Sequence, residues 1–137
     1  MNNVLVGETD LALSKILSIE KPKSILIVTG KNSYKNSRAE KIFKKIKSEY
    51  SITLYHKKEN NSSYFEILDL LKKYEEINFD LIIAYGGGSV IDFSKVISLY
   101  KKNLLNFKTN FQNSEGLLNT ISLIAVPTTA GSGAEST

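Results

Sequence analysis

The chain has 137 residues, 42% of them hydrophobic and 23% charged, with a net charge of +4 and no cysteine. That is one domain's length, with ordinary globular composition and enough apolar material for a real core. The missing cysteines exclude disulfides and thiolate metal sites and fit a reducing compartment.

In chain order, "NNVLVG" is a short strand-like start ending at Gly7. "TDLALSKILSI" (Thr9–Ile19) opens on capping residues and carries apolar side chains at helical spacing, and Pro22 ends it. "SILIVTG" (Ser24–Gly30) is a continuous apolar run stopped by glycine, which predicts a strand buried on both faces. A polar loop, "KNSYKNS", leads to a lysine-rich amphipathic helix over Arg38–Tyr50. "ITLYH" (Ile52–His56) predicts a strand, and Ser62–Glu76 a helix with Ser62 or Ser63 as N-cap. "FDLIIAYGGGS" is a buried strand entering a glycine run, and Val90–Tyr100 is a helix that Ser89 opens. The polar segment 101–119 has weak structural signals, and "ISLIAV" (Ile121–Val126) is the last buried strand.

Strands alternating with helices of this length predict βαβ units: an α/β, Rossmann-like parallel sheet with helices on both faces. The positive charge does not point to nucleic acid. The lysines spread along amphipathic helices, as with Lys41, Lys44, Lys45 and Lys47, and Arg38 is the single arginine. Arginine is the usual reader of bases and phosphates, so a solvated helix face is expected. The N-terminus has no basic start and no long apolar run, and no stretch approaches the ~20 apolar residues of a membrane span. The expectation is a cytoplasmic protein with no membrane and no nucleic-acid partner.

In an open parallel sheet, ligands bind beyond the carboxyl ends of the strands. Three such ends carry unusual residues: "VTGKNS", "YGGGS" and "VPTTAGSG". Gly86, Gly87 and Gly88 let a backbone approach a ligand closely, and the helix that follows offers unsatisfied N–H groups and a favourable dipole to an anion. A pyrophosphate meets both conditions, although neither common nucleotide fingerprint is present. Asp92, expected in the first helical turn, is placed to accept N–H bonds from the glycine loop, with Lys95 further round the same face. Both equally suit a capping residue and a surface lysine. Thr128, Thr129 and Ser132 offer hydroxyls, and Gly131 and Gly133 a pliable backbone. Such groups suit ribose or an amide-bearing ring better than proton transfer. His56, the one histidine, reads as structural or solvent-facing.

"GGGSVIDFSK" followed by "PTTAGSGAE" resembles the N-terminal half of the iron-dependent (group III) alcohol dehydrogenases, which show GGGSxxDxAK and PTTAGTGSE stretches after buried strands. Ser94 stands in place of alanine, Ser132 of threonine and Ala134 of serine, all small-for-small changes. The resemblance covers essentially the whole chain. It implies that Gly87, Gly88 and Ser89 hold the pyrophosphate of NAD or NADP. It implies that Thr128, Thr129 and Ser132 contact the cofactor, partly toward the nicotinamide, and that Asn61 lies near the adenosine half, with Ser62 replacing the family's proline. Where many members carry an aspartate that binds the ribose hydroxyls, this chain has Gly30. NADP is therefore expected to be tolerated, with Lys31 or Lys35 adding attraction.

The resemblance also implies a metal, Fe2+ or Zn2+, held by one Asp and three His in a C-terminal helical domain. One histidine cannot supply that set. The expectation is thus a single NAD(P)-binding domain over 1–137, truncated relative to the family, with no catalytic or metal residues of its own. It would act on alcohol or aldehyde substrates only within a complete enzyme. An N-terminal strand of this kind can pair across a homodimer. Two alternatives stand beside this reading: a free-standing nucleotide-binding or assembly module, and a polyol dehydrogenase or dehydroquinate synthase-like relative.

Overall fold

Apolar runs such as "ILIV" and "LIIA" have no polar face, so a strand made of them is stable only with cover on both sides. The computed structural model, which describes residues 2–4, 9–30, 37–58, 64–109, 117 and 119–128, provides that cover. The elements are β1 (Asn2–Val4), α1 (Thr9–Glu20), β2 (Ser24–Gly30), α2 (Ser37–Glu49), β3 (Ser51–Lys57), α3 (Tyr64–Lys73), β4 (Leu81–Gly86), α4 (Gly88–Tyr100), α5 (Leu104–Thr109) and β5 (Ser122–Pro127). The strands form one sheet in the order β1–β5–β4–β2–β3. Every pairing is parallel. The α/β class with a Rossmann-like parallel sheet is as the sequence predicts.

Alternate residues of the central strands divide the core in two. Leu26, Val28, Ile82 and Ala84 pack with Leu70, Phe93 and Ile97 of α3 and α4. Ile25, Ile27, Ile83 and Ile124 pack with Leu13 and Leu17 of α1 and Phe43 and Ile46 of α2. Lys41, Lys44, Lys45 and Lys47 are exposed on the outer side of α2, the solvated face expected of them. No helix among the described residues is long and apolar enough to cross a membrane.

Several boundaries differ from the sequence reading. The segment expected to be weakly structured contains α5, anchored by Phe107, which is fully buried and stacks on Tyr64 at 4.8 Å. The stretch "LLNF" offers a single i,i+3 apolar pair, Leu104 and Phe107, too short a period to reveal a helix before packing defines it. α1 ends at Glu20; Lys21 then takes a left-handed φ of 48°, and its N–H still reaches Leu17 O at 2.8 Å. Gly7, Ser62 and Ser63 lie outside the described residues.

The amino end of the sheet is closed by the chain itself. The Asp80 carboxylate accepts the backbone N–H groups of Lys23 and Ser24 at 2.8 and 2.9 Å, and Asp80 N–H donates to Ser24 O at 3.0 Å. Lys101 Nζ donates to Ile77 O at 2.8 Å and lies 5.6 Å from the centre of the Phe79 ring. Burial holds the Lys101 ammonium below its ordinary pKa range.

Candidate functional site

At the carboxyl end, register brings the three singled-out strand ends into line. Thr29 pairs with Tyr85, Tyr85 with Val126, and Gly86 with Pro127. Gly30, half-buried, closes β2 opposite Lys57 of β3. Thr128 N–H donates to Gly86 O at 3.0 Å, so the start of the "PTT" loop is tied to the glycine turn.

The glycine turn begins its helix earlier than the sequence suggests. Gly87, not Ser89, is the N-cap of α4, in an extended conformation and with no side-chain cap. The first helical bond runs from Ile91 N–H to Gly87 O at 3.1 Å. The N–H groups of Gly88, Ser89 and Val90 precede it and have no acceptor within the helix. This shift moves Asp92 into the second turn, and the first turn carries no acidic residue. Asp92 and Lys95 are both exposed. The position expected for Asp92 therefore differs: the helix starts before Ser89, and the carboxylate stands in the second turn rather than the first.

Glycine serves two purposes in this turn. A Cβ at Gly86 would lie 2.8 Å from Val90 Cγ2 and 2.9 Å from Val90 Cβ, so that position is glycine because α4 packs against it. A Cβ at Gly88 would meet no heavy atom within 4 Å. Gly88 is the exposed first residue of α4, so this open space adjoins the helix start, where the first N–H groups have no acceptor within the helix. That is a cradle of the kind a phosphate fills, with the hydroxyls of half-buried Ser89 and Thr128 on adjoining residues. The donor set fits the pyrophosphate of a dinucleotide. Asn61, Thr129 and Ser132, with Lys31, Lys35, Gly131 and Gly133, lie outside the described residues.

His56 is exposed, and its Nδ1 is 2.8 Å from the hydroxyl of buried Thr29, so it is both structural and solvent-facing. Among the described residues no group of three or more His, Cys, Asp or Glu is placed to hold a metal ion. A groove of about 430 Å3 lies on the α2 face, lined by Ile27, Phe43, Ile52 and Leu54 with Lys44 and Lys47 at its rim. It contains none of the strand-end residues and is separate from the glycine turn.

A buried polar cluster beside Gly30 is absent from the sequence reading. Lys57 Nζ and Glu66 Oε1 are 3.2 Å apart, with side chains 1% and 7% exposed. Glu66 Oε2 accepts the Tyr55 hydroxyl at 2.7 Å and the Lys58 backbone N–H at 2.8 Å. Burial opposes the charged form of Glu66. The N–H of Lys58, the Tyr55 hydroxyl and Lys57 outweigh it and hold the carboxyl below its ordinary range. Burial and the bond to that carboxylate push the Tyr55 phenol up. One signal was available: alternation along β3 puts Tyr55 and Lys57 on the same, core-facing side, where a lysine requires a counter-charge.

Known proteins resemble this chain in sequence and in fold. The model of the iron-containing alcohol dehydrogenases matches residues 2–137. A 4-hydroxybutyrate dehydrogenase from Clostridium kluyveri is 40% identical over 72 residues, 52% of this chain and 19% of that protein. A mitochondrial hydroxyacid-oxoacid transhydrogenase from Caenorhabditis elegans is 38% identical over 131 residues, 84% of this chain and 26% of that protein. The structure of an iron-containing alcohol dehydrogenase from Thermotoga maritima superposes with a TM-score of 0.74 at 27% identity, over 96% of this chain and 37% of its own. The chain thus spans well under half the length of these relatives. With the family model matched across residues 2–137, the chain belongs to the iron-containing alcohol dehydrogenase family.

Proposed function

We propose that this chain supplies the NAD(P)-binding part of a metal-dependent alcohol dehydrogenase or aldehyde reductase. The observation that carries the reading is the open space at Gly88, the first residue of α4, whose N-cap Gly87 makes no side-chain hydrogen bond. The N–H groups of Gly88 and Ser89 would stabilise the pyrophosphate charge, and the absence of a side chain at Gly88 lets it approach. Gly87, in extended conformation, sets the direction of the turn. Thr128, held against Gly86, stands toward the nicotinamide, with Thr129 and Ser132 following it in sequence. Gly30 faces the ribose, and Asn61 belongs to the adenosine half. The bound nicotinamide carries the hydride between itself and an alcohol or aldehyde; the chain orients it.

The described residues do not fit a metal. We assign the metal ligands to the helical domain that accompanies this fold in the family, and the 137 residues alone are expected to bind cofactor without turning over substrate. Titration of the protein with NADPH and NADH, followed by nicotinamide fluorescence, tests the reading. With glycine at position 30 no carboxylate repels a 2′-phosphate, so NADPH is expected to bind at least as well as NADH. NADH binding more than about tenfold tighter, ~1.4 kcal/mol, would contradict the assignment of Gly30. Binding of neither would contradict the dinucleotide site as a whole.

A further inference from the structure

A buried ion pair adds little net stability, because stripping water from two charges offsets most of their attraction. The Tyr55–Lys57–Glu66 cluster is therefore poorly explained as a clamp on the fold. Its location gives a better explanation. Lys57 is the β3 residue paired with Gly30, at the ribose end of the proposed site. The Tyr55 ring stacks on Phe93 with centroids 5.7 Å apart and planes at 9°, and Lys57 Nζ lies 5.4 Å from the centre of the same ring. Phe93 belongs to α4, the helix whose first turn forms the glycine cradle. Glu66 stands in the first turn of α3 and takes the N–H of Lys58, the residue by which the chain leaves β3. One carboxylate thus joins the exit of β3 to the start of α3, and its two partners rest on α4.

We infer that Glu66 is a positioning residue for the adenosine half of the dinucleotide, holding the exit of β3 at a fixed spacing from the α4 turn. The inference rests on the dinucleotide reading above. Directional bonds to one carboxylate specify a spacing that apolar contact would leave free to slide.

Two multiple variants test it. Lys57→Met/Glu66→Gln removes both charges but keeps an amide oxygen for the Lys58 N–H and the Tyr55 hydroxyl. Tyr55→Phe/Lys57→Met/Glu66→Leu makes the cluster wholly apolar. Both are expected to unfold at or above the wild-type temperature. The first should keep NAD(P)H and 5′-AMP affinity within about twofold, and the second should lose about tenfold for each, with nicotinamide mononucleotide unchanged. A folded triple variant that binds 5′-AMP as wild type does would overturn the inference and leave the dinucleotide site standing. An unfolded triple variant would also overturn it, since the cluster would then be holding the fold. Wild-type protein that binds neither NADH nor NADPH would overturn both.

Discussion

The two ends of the same five strands are built on opposite plans. At the amino end the chain satisfies itself: Asp80 takes two backbone N–H groups that begin β2, and Lys101 reaches over to the Ile77 carbonyl. At the carboxyl end α4 starts on glycine without a side-chain cap, and the position beside its first N–H groups is open. An edge that closes its own hydrogen bonds adds stability and offers nothing to a ligand. An edge that leaves donors unpaired gives up some stability and gains a place to bind an anion.

That contrast is sharpest at Asp80. Asp80→Ala removes two charge-assisted hydrogen bonds and is expected to cost about 2–3 kcal/mol in urea denaturation. NAD(P)H affinity should not move, and a clear loss of affinity would break the division between the two ends. Gly86→Ala is expected to cost about 1–2 kcal/mol by forcing a methyl group into Val90, again read by denaturation. Gly86 is thus on the binding edge but serves packing, and a stability unchanged by the alanine would show that α4 has room to shift.

The parts of the fold buried on both faces were legible. β2, β4 and β5 are read from apolar runs because nothing polar can sit on a strand covered twice. The candidate site was legible in composition but not in geometry. Serine is a common N-cap, so Ser89 seemed to open α4. Only the backbone shows that the glycine run starts the helix at Gly88 and carries Asp92 into the second turn. Lys57 and Glu66 were only half legible. Alternation along β3 hints that Lys57 faces the core, but its partner lies nine residues on in a helix, and Glu66 reads as solvated until tertiary packing brings the two together.

Gly88→Ala tests the open cradle most directly. The structure has room for the methyl group, and alanine favours the helix over glycine by up to ~1 kcal/mol, so the variant should be as stable as the wild type or slightly more so. The same methyl group would occupy the space assigned to the pyrophosphate, and NADH and NADPH affinity should both fall by about tenfold, ~1.4 kcal/mol. A folded Gly88→Ala protein that binds both nucleotides as tightly as the wild type would contradict the placement of the cofactor at this turn.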